Sequence, residues 1–264
     1  MPLLGSDGLQ KIRSGQMTLG LGIYYLRGAQ ASLLARAAGY DWLFIDCEHG
    51  SMSAQEAAQI SIAALSTGVT PIVRICKDAL DEGTRALDNG ALGLVVPHID
   101  TAEEARALVD AFRFPPMGHR SSGGPAAQFG YRAPATVPMQ AALNAELLLV
   151  AMIESPQAVE NAEAIAAIDG IDALLIGTND LCAEMGVIGQ LGHERIEAAY
   201  RTVAQACARN NKVLGMGGVY DQELATRYIR LGARFILAGA DHALLLDAAT
   251  RRTAFLREVA GKAS

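Results

Sequence analysis

Short apolar runs alternate with helix-forming segments along this chain, and this alternation limits the possible folds more than any other feature. Each run holds about four to eight residues and is almost wholly apolar, which is typical of parallel strands covered on both faces. Eight such strands are predicted: Leu19–Leu26, Trp42–Cys47, Pro71–Cys76, Leu92–Ile99, Leu147–Ile153, Ala173–Ile176, Val213–Met216 and Phe235–Ala238.

The segments between these runs show helical periodicity and the signals that begin and end helices. Ser53 and Thr101 stand as N-caps, Pro156 follows Ser155 at a first helical position, and Gly68 stands where a helix ends. Eight strands alternating with helices in about 250 residues favour a closed (β/α)8 TIM barrel over an open doubly wound sheet. No linker divides the chain, so we expect one α/β domain over residues 1–264. The helices expected most clearly are Ala31–Ala38, Ala54–Ser66, Ala102–Phe112, Gln157–Ile168, Glu194–Arg209 and Gln222–Leu231.

Composition excludes several classes of protein. The formal net charge is −6 and no basic cluster occurs, so nucleic acid is not an expected partner. No apolar run approaches the roughly 18 residues of a membrane span, and no signal-peptide pattern opens the sequence. The four cysteines lie far apart without CxxC spacing, as reduced thiols do. We therefore expect a cytoplasmic protein without membrane contact.

One long connection, Arg113–Asn144, interrupts the alternation between the fourth and fifth strands. It contains Pro115-Pro116 and several glycines and serines. Long irregular connections in compact domains are usually functional or disordered. We expect this one to form an ordered lid or a subunit contact near the carboxyl ends of the strands.

Charged residues collect at the carboxyl ends of the predicted strands, where barrels hold their active sites. The amino ends of the same strands are nearly free of charge, and this asymmetry predicts an active site at the carboxyl end. The residues are Asp46, Glu48 and His49 after the second strand, Arg74 at the end of the third, His98 after the fourth, Glu154 after the fifth, and Gly177-Thr178-Asn179-Asp180 after the sixth.

Glu154 and Asp180 follow neighbouring strands, so their carboxylates are expected to lie close together. Two carboxylates completed by water and substrate suit a hard divalent ion, and they accept Mg²⁺, Mn²⁺ or Co²⁺ alike. Each residue also precedes a helix and is a candidate helix cap. Their occurrence as a pair, with Arg74 nearby, favours the metal site.

His49 has acidic neighbours that are able to tune it as a base near neutral pH, although a structural histidine in this loop is the alternative. His98 is a second candidate. Arg74 ends an otherwise apolar strand and must meet a carboxylate there. It either pairs with Asp46 or Glu48, or holds substrate and stabilises an enolate oxygen, and we expect both roles.

The remaining signals concern the type of carbonyl chemistry. Backbone N–H groups at Gly177–Asn179 are able to bind a carboxylate at a helix N-terminus. A Schiff base requires a lysine in the barrel mouth, and only Lys77 lies beyond a strand end. A metal, an arginine and a histidine base together favour formation of an enolate.

Seven motifs occur in an order and at a spacing typical of one family. They are Gly39–Gly50, Pro71–Arg74, Asp88–Ala91, Val95–Pro97, Phe114–Gly118, Ile153–Ser155 and Ile176–Leu181. Through these motifs the chain resembles the HpcH/HpaI aldolases, the metal-dependent 2-oxo acid aldolases, from about Gly15 to Ala249.

This resemblance implies a role for each matching residue. Glu154 and Asp180 would be the metal ligands, and Arg74 would hold the 2-oxo acid. His49, supported by Asp46, would move the proton of the aldol hydroxyl. Asp88 would reach a neighbouring subunit's site and assist the same proton transfer there. The backbone at Gly177, Thr178 and Asn179 would bind the substrate carboxylate.

The resemblance also implies a homohexamer and a last helix exchanged between subunits. Two positions depart from the family pattern. Thr178-Asn179 replaces a Pro-Ala or Pro-Ser pair, and His98 is uncommon after Pro97. Both departures place the shape of the substrate pocket in question.

Three hypotheses follow. The first is an aldolase that joins the enolate of pyruvate or hydroxypyruvate to an aldehyde. The second keeps the enolate but forms it by loss of CO₂, as an oxaloacetate decarboxylase or related lyase does. The third, a barrel without catalytic activity, predicts a missing strand-end charge, and none is missing.

Overall fold

The computed structural model describes residues 3–124, 126–132 and 134–262. Eight strands pair in parallel in the order of the sequence, and the first pairs with the last, which closes the barrel. The strands are β1 Thr18–Ile23, β2 Trp42–Asp46, β3 Thr70–Arg74, β4 Gly93–Val96, β5 Leu148–Ile153, β6 Ala173–Gly177, β7 Val213–Gly217 and β8 Phe235–Ala240. The predicted (β/α)8 fold and its eight strands are confirmed.

Helices surround the barrel. They are α1 Asp7–Arg13, α2 Gln30–Ala37, α3 Ala54–Thr67, α4 Leu80–Asp88, α5 Ala102–Phe112, α6 Thr136–Glu146, α7 Pro156–Glu160, α8 Ala162–Ala166, α9 Thr178–Glu184, α10 Glu194–Arg209, α11 Gln222–Arg230 and α12 Asp241–Lys262, with a 3₁₀ turn at Ala127–Phe129. Ser53 and Thr101 form capping boxes as predicted. The helix expected over Gln157–Ile168 is divided at Asn161, whose side chain leaves the helix to bind the Asp100 carbonyl.

Large side chains fill the amino-terminal half of the barrel. Trp42 stacks on Phe235 with 3.9 Å between ring centroids. The indole also covers Gly20, where a Cβ would lie 2.3 Å from the ring. Because these rings fill the inside of the barrel near the amino ends of the strands, a substrate can enter the barrel from the carboxyl ends. No helix in the described part of the chain is both long and apolar enough to cross a membrane.

The long segment after α5 begins at the opposite end of the barrel from the one we expected. The Arg113 guanidinium binds the carbonyls of Leu147 and Gly170 and the Asp172 carboxylate, all beside the amino ends of β5 and β6. The expectation of a lid at the carboxyl ends is therefore wrong for the start of this segment. The reason is topological, because a helix that follows a parallel strand runs back to the amino end of the sheet.

Helix α12 projects from the barrel. Its first residue, Asp241, is buried, yet every residue from 242 to 261 is exposed. The apolar side chains among them include Leu245, Leu246 and Phe255. A helix of 22 residues with such a surface buries little against its own barrel.

Candidate active site

A cavity of about 260 Å³ opens at the carboxyl ends of the strands. Six of the predicted site residues line it: His49, Arg74, Gly177, Thr178, Asn179 and Asp180. The other residues of its wall are Tyr24, Phe44, Met152, Leu175, Gly217, Gly218, Tyr220 and Leu237. The strand ends thus bring together the side chains that the sequence placed there.

Asp46 and Arg74 form a buried ion pair at the base of the cavity. Arg74 Nε and Nη2 donate to the two Asp46 carboxylate oxygens at 3.0 and 2.6 Å. Arg74 Nη1 lies 3.1 Å from Glu48 Oε2. Burial acts to lower the pKa of Arg74, but the hydrogen bonds and charge of Asp46 raise it above its ordinary value. A guanidinium has five N–H groups, and the two hydrogen bonds to Asp46 leave three of them, of which those on Nη1 lie beside Glu48.

Asp46 supports His49 through the backbone. Asp46 Oδ1 accepts hydrogen bonds from the N–H groups of Glu48 and His49 at 3.0 and 3.2 Å. The imidazole itself is 64% exposed, and its Nε2 lies 3.8 Å from Glu48 Oε2. The ring is therefore free to meet substrate or water, while the backbone that carries it is fixed.

Glu154 is only 1% exposed and lies behind the wall of the cavity. Its Oε2 accepts a hydrogen bond of 2.9 Å from the His98 N–H and lies 3.5 Å from His98 Nδ1. Its Oε1 packs on Gly177, where a Cβ would lie 2.2 Å away. Burial raises the pKa of Glu154 to about 7, assisted by the charge of Asp180, although the His98 contacts oppose the rise.

These carboxylates fit the divalent ion that the sequence led us to expect. No group of three or more His, Cys, Asp or Glu side chains within residues 3–124, 126–132 and 134–262 is arranged to hold a metal. Glu154 is nevertheless a buried carboxylate whose nearest basic side chain is His98, 3.5 Å away, and the exposed Asp180 interacts with it electrostatically. Mg²⁺ is typically held by one or two carboxylates, with water and substrate as its other ligands.

The turn at Gly177–Asn179 begins α9 at the cavity wall. The Thr178 hydroxyl is buried and bonded to the Gly217 carbonyl and to the Tyr200 hydroxyl, at 2.7 and 2.8 Å. This side chain therefore holds the turn in place and is not available to a ligand. Asn179 is exposed. The backbone N–H groups of the turn form the N-terminus of α9, and a helix N-terminus favours anions.

Asp88 is the one predicted site residue that lies far from this cavity. It ends α4 at the amino end of the barrel, and its carboxylate binds Arg120 Nη2 at 2.7 Å. The side chain is 34% exposed, whereas that of Arg120 is 2% exposed. Within a single chain, Asp88 thus has no access to His49.

Lys77 does not enter the barrel mouth. Its Nζ donates to the His98 carbonyl at 2.7 Å and pairs with Glu104 at 2.7 Å on the outside of the barrel. This position removes Lys77 as a Schiff-base nucleophile for the cavity.

Sequence reasoning missed Tyr24 and Tyr220, whose rings line the cavity. We had assigned β1 as far as Leu26, so Tyr24 counted as part of an apolar strand. The strand ends at Ile23, and the rule used for the other strand ends would have identified the tyrosine that follows.

Comparison with known proteins gives a consistent result. The family model described as HpcH/HpaI aldolase/citrate lyase matches residues 22–248. A 4-hydroxy-4-methyl-2-oxoglutarate aldolase of Hapsidospora irregularis is 39% identical over 241 residues, which are 89% of this chain and 88% of that protein. The hydroxypyruvate/pyruvate aldolase of Cupriavidus necator is 36% identical over 225 residues, 85% of this chain and 83% of that protein.

Solved structures agree. The crystal structure of an HpcH/HpaI aldolase from Desulfitobacterium hafniense superposes with a TM-score of 0.89 at 28% identity, covering 94% of this chain and 96% of that one.

Proposed function

The chain belongs to the HpcH/HpaI aldolase/citrate lyase family, and on that premise we propose that it reversibly cleaves 4-hydroxy-2-oxo acids with the help of a divalent metal. The products are a 2-oxo acid, pyruvate or hydroxypyruvate, and an aldehyde. The observation that carries the proposal is the convergence of Arg74, His49 and Asp180 on one cavity, with buried Glu154 directly behind it. The names of the relatives favour aldol cleavage over decarboxylation of oxaloacetate.

Arg74 and the start of α9 bind the 2-oxo acid in this proposal. N–H groups of Arg74 that are not bonded to Asp46 donate to the C2 oxygen and to the carboxylate. The backbone N–H groups of Gly177–Asn179 bind the carboxylate from the other side. Because Asp46 fixes the guanidinium, these donors are in place before charge develops on the C2 oxygen.

Glu154 and Asp180 would hold Mg²⁺, Mn²⁺ or Co²⁺. A divalent ion there supplies Lewis-acid stabilisation of the negative charge on the C2 oxygen. The burial of Glu154 supports this assignment, because a carboxylate in an apolar wall becomes much more favourable when a cation neutralises it.

His49 moves the proton of the C4 hydroxyl. The exposed imidazole removes it, directly or through water, as the C3–C4 bond breaks and the aldehyde forms. The electron pair of that bond passes to C3 and the C2 oxygen, where the charge meets the Arg74 donors. The imidazole returns the proton to C3, directly or through water, which gives the free 2-oxo acid and restores His49.

The decisive experiment measures pyruvate release from 4-hydroxy-2-oxo acids of graded chain length, coupled to lactate dehydrogenase. We expect activity to vanish with EDTA and to return with Mg²⁺ or Mn²⁺. Glu154→Gln combined with Asp180→Asn is expected to abolish the metal-restored rate, while Glu103→Gln, an exposed carboxylate on α5, retains it. Turnover that survives in the chelator-treated double variant contradicts the proposal.

We propose further that the protein assembles as a cytoplasmic homohexamer in which α12 is exchanged between subunits. The exposed apolar side chains of α12 support the exchange, since packing against a second copy would cover them. In such an assembly, Asp88 would reach the active site of a neighbouring subunit.

The four free cysteines support a reducing compartment. Light scattering after gel filtration tests the assembly, and a mass other than six times 27.8 kDa contradicts it.

A further inference from the structure

Tyr24 occupies a fixed place in the wall of the active-site cavity. It is the first residue after β1, and it lines the cavity together with Arg74 and His49. Its ring packs on Gly22, where a Cβ would lie 2.9 Å from Tyr24 Cε2. The edge of the ring also meets His242, with 5.3 Å between centroids.

The backbone that carries Tyr24 is held by a single carboxylate. Asp241 Oδ2, at the start of α12, accepts hydrogen bonds from the N–H groups of Tyr24, Tyr25 and Leu26 at 3.1, 2.8 and 2.6 Å. The Asp241 side chain is 2% exposed. Burial acts to raise the pKa of this carboxyl, yet these hydrogen bonds lower it below its ordinary value. Asp241 is thus a positioning residue for Tyr24.

The charges of Asp46 and Arg74 both act on the Tyr24 hydroxyl. Burial, with smaller effects from the charges around it, raises the pKa of Tyr24 to about 12, so the phenol is neutral at physiological pH. A neutral phenol oxygen keeps its lone pairs, so Tyr24 is able to act toward the cavity as a hydrogen-bond acceptor.

The groups that bind the C1 and C2 oxygens in our scheme are donors. The Arg74 guanidinium has no acceptor, and the start of α9 offers backbone N–H groups. A substrate hydroxyl requires an acceptor if it is to be bound without loss. β1 lies four strands from β5 in the closed barrel, so Tyr24 stands across the cavity from Glu154.

We propose that C3 of a 2-oxo acid bound by Arg74 and the start of α9 points toward β1, and that Tyr24 determines donor specificity there: its phenol oxygen accepts a hydrogen bond from a C3 hydroxyl and so favours hydroxypyruvate over pyruvate. This inference rests on the proposed function, because it takes the 2-oxo acid to be bound by Arg74.

The test is the dissociation constant of each 2-oxo acid, measured by isothermal titration calorimetry on the Mg²⁺-loaded full chain. The wild type is expected to bind hydroxypyruvate more tightly than pyruvate. Tyr24→Phe is expected to weaken hydroxypyruvate about tenfold, the value of one neutral hydrogen bond, and to change pyruvate less than twofold. Tyr25→Phe is the matched control, since Tyr25 also contacts His242 but does not line the cavity.

Three outcomes overturn the inference: an unchanged ratio of the two constants in Tyr24→Phe, an equal loss for both ligands, or a wild type that does not prefer hydroxypyruvate. Tyr24→Leu repeats the measurement if the phenylalanine variant has a lowered Tm. Binding requires no turnover. A wild type that binds both ligands but releases no pyruvate from any aldol therefore contradicts the proposed function, and the ratio still decides the role of Tyr24.

Discussion

Metal binding by this protein is expected to depend on pH through Glu154. The carboxyl is buried and its pKa is raised to about 7, so the metal-free protein holds a proton there below that pH. A cation must displace this proton to bind. With a pKa of about 7, the apparent Kd for Mg²⁺ should rise about tenfold between pH 8 and pH 6.

The assay is isothermal titration calorimetry of the EDTA-treated protein with Mg²⁺, in two buffers of different ionisation enthalpy. Proton release should be about 0.9 per ion at pH 6 and about 0.1 at pH 8. His98→Gln should retain this proton release, which would show that the proton comes from Glu154 and not from the neighbouring imidazole. An apparent Kd that does not change from pH 6 to pH 8 would refute the assignment.

The same raised pKa has a consequence for stability. The folded metal-free protein binds a proton that the unfolded chain, with an ordinary carboxyl pKa of 4.5, releases. Stability should therefore fall as the pH rises through this window, by roughly 2 to 3 kcal/mol between pH 5 and pH 8. Urea unfolding of the metal-free wild type and of Glu154→Gln at each pH measures this change in stability. The variant has no carboxyl at position 154, so its stability should not show this dependence on pH.

Three further predictions concern individual contacts. Arg74→Lys loses the two-point contact with Asp46, and kcat/KM for aldol cleavage should fall on the order of 100-fold. Lys77→Met should leave turnover within about twofold of the wild type, and borohydride with pyruvate should not inactivate either protein. Thr178→Val removes the hydrogen bond to Tyr200 and should reduce the free energy of unfolding by about 1 to 3 kcal/mol, as measured by urea unfolding.

The barrel was predictable because its strands are covered on both faces and read as continuous apolar runs. Arg74 and Glu154 were predictable because a charge at the end of such a run has few structural uses. The long segment after α5 was misplaced because its composition indicated function, whereas the direction of α5 decides where it begins. That direction was available from the topology alone.

Contacts between distant parts of the sequence were only partly predictable. The pairing of Arg74 with Asp46 was expected, but not that Arg74 would occupy both carboxylate oxygens and leave His49 supported only through its backbone N–H. Tyr24 was missed because a tyrosine within an apolar run is counted as one more hydrophobic residue of the strand. No local pattern links it to Asp241, 217 residues further along the chain.

That separation along the chain has a consequence for how the protein is made. Synthesis proceeds from the amino end, so β1 and the loop after it leave the ribosome long before residue 241. Until then, the three N–H groups of that loop lack their acceptor, and β1 lacks its pairing with β8. The wall of the pocket formed by the first strand is therefore completed last, and a nascent chain stopped before Asp241 carries nearly every site residue without a finished site.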